Sequence, residues 1–376
     1  MSAAAMTDIT SVAGDGTPKV SVVRPGDLGS GELERWRELQ AADPLLQNAF
    51  LSPEFTLAVA RVRGDVRVAV LEAEGSIVGF LPYQLGRLGA GRPIGASVCD
   101  RQALVCAGGL QWNARDLLRA CRLSSLEFDH LLPTQVPFQP YHVREASSYV
   151  MDLGAGYSAY LEERLRSSRK SLRLAFKKQR NLESDVGEVE FEVRSRDPQD
   201  LHTLMRWKSA QLRRSGWPDR FAEDWVRRLV LELFESDAPG CTGMLSVLRA
   251  GGRPVACVYG LRSDPLLSLW FPAYDPEFSR YSPGLILHLR TAEAVARLGV
   301  REMDLGKGHE WYKDKLKTRD VNLAEAWISR ASVGMLVRQL QTAPRRHVWG
   351  FVLRHDRLRS AARWTLSQAL TRGGHR

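Results

Sequence analysis

The chain contains 376 residues, of which 44% are hydrophobic and 26% are charged. This length allows two ordinary domains with substantial cores, and the composition is typical of a soluble globular protein. The five cysteines form no Cys-x-x-Cys pair and leave one unmatched, so neither a disulfide framework nor a zinc site is indicated. We therefore expect a protein of the reducing cytoplasm that holds no metal.

The two ends of the chain differ from its centre. Residues 1–18 contain no basic residue and no sustained apolar run, so we expect a disordered start and not a secretory signal. The net charge of +10 is concentrated in residues 331–376, where nine arginines stand against one aspartate and alternate with bulky apolar residues. This basic tail predicts either an amphipathic helix on an anionic surface, at the inner face of the membrane, or a helix packed on the protein. Arginines interrupt the apolar runs near the C-terminus, so no membrane span is predicted.

A β-hairpin pattern occurs twice in the sequence. Residues 70–78 and 247–255 match in Val, Leu, Ala, Gly and Val at one offset of 177 residues, and each has an apolar strand, a glycine turn and a second apolar strand. A constant offset near half the chain predicts two similar units, at residues 19–150 and 151–330. In the first unit, Asp100 and Arg101 could line a cleft shared with the second unit, but the pattern favours ordinary surface loop residues.

The second unit has a clearer order of elements. We expect a basic helix over about 158–182, a strand at 189–193, and helices over 200–214 and 222–234. Three strands follow at 243–248, 255–261 and 266–274, and then a crossover helix, a strand at 300–305, a short polar helix and a strand at 324–328. Helices, an antiparallel meander and a β-α-β crossover predict a mixed α/β sheet.

The crossover helix is predicted to begin at Pro283, with Ser282 as its N-cap and Gly299 as its stop. The free N–H groups and the positive dipole end of such a helix form a site for a phosphate group. Gly284 lacks the side chain that would keep a ligand away from the backbone.

These residues carry a family resemblance. Tyr281, Pro283-Gly284, Gly299, residues 304–308 and Tyr312-Lys313 occur in an order that resembles the GNAT acyltransferase superfamily. The similarity is to the CelD-like branch linked to polysaccharide biosynthesis, and to its relatives among the Fem-type tandem-GNAT transferases.

The resemblance implies tandem GNAT-like domains, the first of them degenerate. It also implies acyl-coenzyme A, acetyl or longer, as co-substrate, entering where the sheet splays between the fourth and fifth strands of the second unit. Many GNAT enzymes bind the pyrophosphate through an Arg- or Gln-led glycine motif that is replaced here by residues 281–286. Coenzyme A binding is therefore implied by topology, and the residues expected to contact the donor are Ser282, Pro283, Gly284, Leu285 and Lys307.

The candidate chemical groups follow the fifth strand. By the resemblance, Tyr312 protonates the leaving thiolate, although its ring could instead pack under the sheet. Asp304 could act as a base or cap the following turn, and Glu310 and His309 are alternatives. Lys313, like Lys307, could bind phosphate or an acidic acceptor, or be solvated. Three residues that end the fourth strand could contact a sugar or belong to the core: Trp270, Tyr274 and Asp275.

Together these features predict transfer of an acyl group from acyl-coenzyme A to an amino or hydroxyl group. The expected acceptor is a small, sugar-linked intermediate of polysaccharide or cell-envelope biosynthesis. Basic residues between 164 and 180 leave two alternatives open: a Fem-like transferase that uses aminoacyl-tRNA, and a non-catalytic module that binds nucleic acid or a membrane surface. The chain lacks the long coiled-coil insertion of several Fem-type enzymes, and a mere binder has no need of Pro283-Gly284, Asp304 and Tyr312 together.

Overall fold

The structure, a computed structural model, describes residues 18–308 and 310–330. The predicted disordered start, apart from Pro18, the predicted basic tail and His309 lie outside the described residues.

The first half of the chain forms a sheet region with three helices. Its elements are β1 (Lys19–Val23), α1 (Ser30–Ala42), α2 (Pro53–Val62), β2 (Val66–Ala73), β3 (Ser76–Leu85), β4 (Ala90–Pro93), β5 (Val105–Cys106), α3 (Ala114–Ala120), β6 (Ser125–Leu131) and β7 (His142–Asp152).

The second half follows the predicted order closely. Its elements are α4 (Tyr157–Ser167), α5 (Arg169–Val186), β8 (Val189–Glu192), α6 (Pro198–Arg214), α7 (Asp224–Glu235), β9 (Thr242–Ala250), β10 (Arg253–Ser263), β11 (Leu266–Tyr274), α8 (Pro283–Arg297), β12 (Glu302–Lys307), α9 (Trp311–Leu316) and β13 (Arg319–Ser329). The one basic helix expected over 158–182 is two helices, because Ser168 leaves the helical conformation with φ −131° and ψ 30°.

All thirteen strands of the described residues belong to one mixed sheet. Twelve of them follow the order β1-β2-β3-β4-β6-β13-β7-β12-β11-β10-β9-β8, and β5 pairs with β3. From either edge of the sheet inward, three antiparallel strand pairs are followed by one parallel pair. The parallel pairs are β4 with β6 on one side and β11 with β12 on the other. At the centre, β7 pairs with β12 of the second half and β13 pairs with β6 of the first. The sheet thus runs through both predicted units, and their boundary at residue 150 stays a prediction.

Both repeated hairpins are present, as β2–β3 and β9–β10. The two-residue turns consist of Glu74 (φ 51°) with Gly75 (φ 75°), and of Gly251 (φ 54°) with Gly252 (φ 72°). Positive φ at both turn residues matches the right-handed twist of the flanking strands, which explains the glycines.

Helices cover both faces of the second half of the sheet. On one face α5 and α8 bury residues such as Leu172 and Ile286 against Val258. On the other face α6 and α7 pack together with Phe55 of α2, which comes from the first half. The two halves therefore share a core and hold the central strands in fixed register.

Candidate functional site

The sheet opens between β11 and β12. These parallel strands pair only at Leu266 with Glu302, Leu267 with Met303 and Ser268 with Asp304, although β11 continues to Tyr274 and β12 to Lys307. Ligands of open α/β sheets bind where strand carboxyl ends separate in this way. The opening between β11 and β12 is therefore a candidate ligand-binding site.

A cavity of about 190 Å³ lies at the separated strand ends. Five of the residues expected in the site line it: Trp270, Lys307, Glu310, Tyr312 and Lys313. Three further polar residues that the sequence analysis did not assign to the site also line it: Asp100, His130 and Lys208. The cavity thus collects charged groups from both halves of the chain.

The N-terminus of α8 lies beside this opening. The helix begins at Pro283 as predicted, but Ser282 has a left-handed backbone (φ 52°) and its side chain makes no cap hydrogen bond. Ser282 thus occupies the predicted N-cap position without a capping hydrogen bond, and its hydroxyl accepts a hydrogen bond of 2.7 Å from Lys178 Nζ on α5. A Cβ added at Gly284 would meet only the Tyr274 ring, at 3.9 Å, so the backbone there is open. Below it, the side chains of Pro283 and Leu285 are buried.

Tyr312 is held by stacking. Its ring lies on His288 of α8 with centroids 5.2 Å apart and planes at 27°. Burial raises the pKa of Tyr312 above its ordinary value, and the charge of Glu310 adds to this rise. Burial also lowers the pKa of His288 to about 3, with Lys313 contributing, so His288 is neutral at physiological pH. Tyr312 therefore reaches the cavity as a protonated phenol, which is a possible acid.

Asp304 lies beneath the cavity and is fully engaged. Its Oδ2 accepts a hydrogen bond of 2.6 Å from Arg101, and its Oδ1 accepts from Ser148 and, at 2.9 Å, from the Gly306 N–H. The expectation that Arg101 is a surface loop residue is wrong, because this ion pair buries it to 4% exposure. Asp100 is likewise drawn into the cavity wall.

Two lysines shape the turn after β12. Lys313 Nζ lies 3.2 Å from the Gly306 carbonyl oxygen, 3.1 Å from that of Lys307, and 2.9 Å from Glu310 Oε2. Lys307 Nζ donates to Glu325 Oε1 at 2.7 Å and to the Asp129 carbonyl at 3.0 Å. Both ammonium groups are thus occupied within the protein, and the turn that carries them is fixed.

The residues that end β11 separate in space. Trp270 donates its indole N–H to the Val98 carbonyl at 2.6 Å, so it joins the core and presents only part of its ring to the cavity. Tyr274 is 42% exposed and lies beside Gly284. Asp275 accepts a hydrogen bond of 3.0 Å from the Glu277 N–H and caps a short helix.

Lys208 is a cavity residue that the sequence analysis missed. Its Nζ donates to the Pro272 carbonyl at 3.1 Å and to Gln211 Oε1 at 3.2 Å, and burial lowers its pKa to about 8. The sequence does indicate that Lys208 lies on the buried face of α6, because it continues the apolar stripe of this helix that is made by Leu201, Leu204 and Met205. His130 had a weaker signal, as part of an Asp-His pair in the otherwise apolar end of β6.

Within residues 18–308 and 310–330, no cluster of His, Cys, Asp and Glu could hold a metal ion. The same part of the chain contains no helix that is both long and apolar enough to cross a membrane.

Comparison with known proteins places these elements in a family context. Residues 166–314 match the family described as "Acetyltransferase (GNAT) domain". A tandem GNAT protein from the clavulanic acid biosynthesis pathway superposes with a TM-score of 0.50 at 12% identity, over 84% of this chain and 99% of that one. A conserved protein of unknown function from Bacteroides thetaiotaomicron VPI-5482 gives 0.50 at 10% identity, over 78% and 96%. FemX gives 0.49 at 10% identity, over 73% and 89%.

No curated protein matches the chain by sequence. The similarity to the tandem GNAT protein concerns the fold, and it agrees with the repeated strand pattern on either side of β7 and β13. The chain therefore has a mixed α/β, tandem GNAT-like fold, and its residues 166–314 match a GNAT acetyltransferase domain.

Proposed function

We propose that the protein transfers an acyl group from acyl-coenzyme A to an amino or hydroxyl group. The observation that carries this proposal is the opening between β11 and β12, which has the N-terminus of α8 beside it and a polar cavity lined in part by Tyr312. An acyl donor needs the first of these features for its phosphates and the second for its reacting end.

The proposed donor site is the N-terminus of α8. A Cβ added at Gly284 would meet only the Tyr274 ring, at 3.9 Å, and Lys178 places its ammonium 2.7 Å from the Ser282 hydroxyl at the same helix end. A positive charge and a helix N-terminus together suit a pyrophosphate. In this proposal Pro283 and Leu285 form the floor of the site. Lys178 takes the role first assigned to Lys307, whose ammonium is paired with Glu325.

The proposed reaction is direct transfer. The acceptor nitrogen or oxygen forms a bond to the thioester carbonyl carbon, the carbon–sulfur bond breaks, and the departing thiolate takes the phenolic proton of Tyr312. Burial keeps Tyr312 protonated until this step by raising its pKa. Glu310, which lines the same cavity and directly precedes α9, is the alternative acid.

The proposed acceptor is a small sugar-linked molecule of polysaccharide or cell-envelope biosynthesis, as in the CelD-like branch. The charged cavity lining suits a polar acceptor, and two residues of β11 offer aromatic surface, Trp270 in the cavity wall and Tyr274 at the exposed end of the strand. Asp304, Lys313 and Asp275 support this site by fixing its turns.

The basic surface of α5 supports an alternative function that involves binding of nucleic acid. Arg173, Lys177 and Arg180 are exposed on this helix. A donor carried on tRNA, or a purely RNA-binding role, would use such a surface.

The test is calorimetric titration of the purified protein with acetyl-coenzyme A and longer thioesters, in parallel with total tRNA. We expect Gly284→Leu to weaken acetyl-coenzyme A binding at least about tenfold by blocking the backbone, and Lys178→Met to weaken it by about tenfold or more through loss of a charged contact. Gly31→Leu is the matched control, since Gly31 is also the second residue of a helix and has open space around it.

Unchanged affinity in a folded Gly284→Leu protein would remove this donor site from the proposal. Binding of tRNA without thioester binding would favour the Fem-like alternative. Salt-sensitive RNA binding with no small-ligand binding would favour the non-catalytic module.

A further inference from the structure

We propose that His130, a residue of the first half of the chain, is the general base that deprotonates the acceptor in the second-half site. Asp129 acts as its positioning residue. The inference rests on the proposed acyl transfer, which needs a base for the acceptor as well as the acid that Tyr312 supplies.

The strand registers explain how His130 reaches a site built on β11 and β12. In the sheet, Leu131 at the end of β6 pairs with Ala324 of β13, and Ala324 pairs with Glu145 of β7. Three residues further along β7, Ser148 pairs with Lys307 at the end of β12. The carboxyl ends of β6 and β12 therefore approach each other at the centre of the sheet, from opposite directions.

The end of β6 is clamped by the buried side chain of Gln102. Its Oε1 accepts hydrogen bonds from the backbone N–H groups of Asp129 (2.9 Å) and His130 (3.1 Å), while its Nε2 donates to Asp129 Oδ1 and to the Cys99 carbonyl. From the second half, Lys307 Nζ donates to the Asp129 carbonyl at 3.0 Å. Both halves thus fix the backbone that carries the imidazole.

The two imidazole nitrogens have different surroundings. His130 Nδ1 lies 3.2 Å from Asp129 Oδ1, an ion-pair contact. His130 Nε2 lies 3.8 Å from Asp100 Oδ1, which is too long for a hydrogen bond. The imidazole lines the cavity with its side chain 14% exposed. One nitrogen therefore lies against the Asp129 carboxylate without forming a hydrogen bond, and the other lies beside the carboxylate of Asp100, which also lines the cavity.

The charges around His130 suit a base. Burial lowers the pKa of His130, but the Asp129 contact and the charge of Asp100 outweigh it, so the pKa lies above the ordinary 6.5, with Lys307 opposing the rise. Burial raises the pKa of Asp100 to about 6, and the charge of His130 opposes this rise. The other charged residues of the cavity wall are Lys208, Glu310 and Lys313. An imidazolium formed during the reaction is thus stabilised by two carboxylates.

In the proposed step the acceptor N–H or O–H gives its proton to His130 Nε2 as the acceptor atom attacks the carbonyl carbon. The carbon–sulfur bond breaks, and the thiolate takes the proton of Tyr312. His130 then releases its proton to solvent and Tyr312 regains one, so the enzyme returns to its starting state. Only neutral His130 can accept the proton, so the rate should rise with pH through the raised pKa of His130.

The test uses the full chain with acetyl-coenzyme A and a panel of free amino sugars, and it follows release of coenzyme A against pH. We expect His130→Gln to lower kcat/KM on the order of a hundredfold and to abolish the acid limb of the pH profile, with unchanged Kd for acetyl-coenzyme A. Asp129→Asn should move the acid limb to lower pH, because it removes a charge that raises the pKa of His130. His202→Gln, at an exposed histidine of α6, is the matched control and should match the unmodified protein.

A His130→Ala protein supplies a second readout, since added imidazole should restore part of its rate if the missing group is a base. Transfer by His130→Gln at the normal rate, with its acid limb intact, would overturn this inference and leave the proposed acyl transfer standing. The same holds if imidazole gives no rescue and Asp129→Asn causes no shift. If the unmodified protein neither binds acetyl-coenzyme A nor transfers from it, the proposed function fails, and this inference fails with it.

Discussion

Replacement of Lys208 by methionine should stabilise the protein at neutral pH, although it removes two hydrogen bonds. Burial lowers the pKa of Lys208 to about 8 from an ordinary 10.5. A difference of this size corresponds to about 3 kcal/mol of unfavourable free energy for holding the charged form in the folded state. Loss of the two hydrogen bonds, to the Pro272 carbonyl and to Gln211, opposes this gain by about 2 kcal/mol. We therefore expect Lys208→Met to raise the free energy of unfolding by about 1 kcal/mol at pH 7.

The pH dependence follows from the sign of the shift. Between pH 8 and 10.5 the unfolded chain binds the Lys208 proton and the folded chain does not, so the unmodified protein gains stability from this group as pH rises. Below pH 8 both states are protonated and the full penalty is present. The advantage of Lys208→Met should thus be greatest at pH 7 and should disappear by about pH 10.5.

The assay is urea unfolding of both proteins at several pH values from 7 to 10.5, compared as the difference between them. Lys177→Met, at an exposed position of α5, is the matched control and should change the free energy of unfolding by less than about 0.5 kcal/mol. A difference between Lys208→Met and the unmodified protein that stays constant with pH would refute the reasoning.

Two further outcomes can be checked with similar means. Tyr312→Phe keeps the ring that stacks on His288, so turnover should fall on the order of a hundredfold while the Kd for acetyl-coenzyme A is unchanged; near-normal turnover would make the ring structural and point to Glu310. Asp304→Asn leaves Arg101 buried beside a neutral partner and should cost about 3 kcal/mol or more in urea unfolding. Glu162→Gln, which breaks the exposed pair with Arg166, should cost less than about 1 kcal/mol, and equal costs for the two variants would contradict this account.

The sequence predicted local structure well, because local structure depends on neighbouring residues. The start of α8 follows from a proline whose ring suits the first helical turn, and the two hairpin turns follow from glycines that adopt positive φ. The resemblance through residues 281–313 also led to the GNAT-like fold and to four of the cavity residues. The same local reasoning placed Ser282 at the N-cap, but it did not predict the left-handed backbone there or the hydrogen bond that the hydroxyl accepts from Lys178, 104 residues earlier in the chain.

The composition of the site was decided only by the tertiary structure. Arg101 and Asp304 are 203 residues apart and become a buried ion pair because β7 and β13 lie side by side at the centre of one sheet. The same arrangement brings the end of β6, with His130, to the end of β12. Periodicity and turn chemistry act over a few residues, and they carry no information about which strand ends will meet. The sequence by itself therefore determined the helices and strands and the reactive side chains that each of them carries. The strand order decided which charged side chains share the cavity and which, like Arg101 and Asp304, form a buried ion pair.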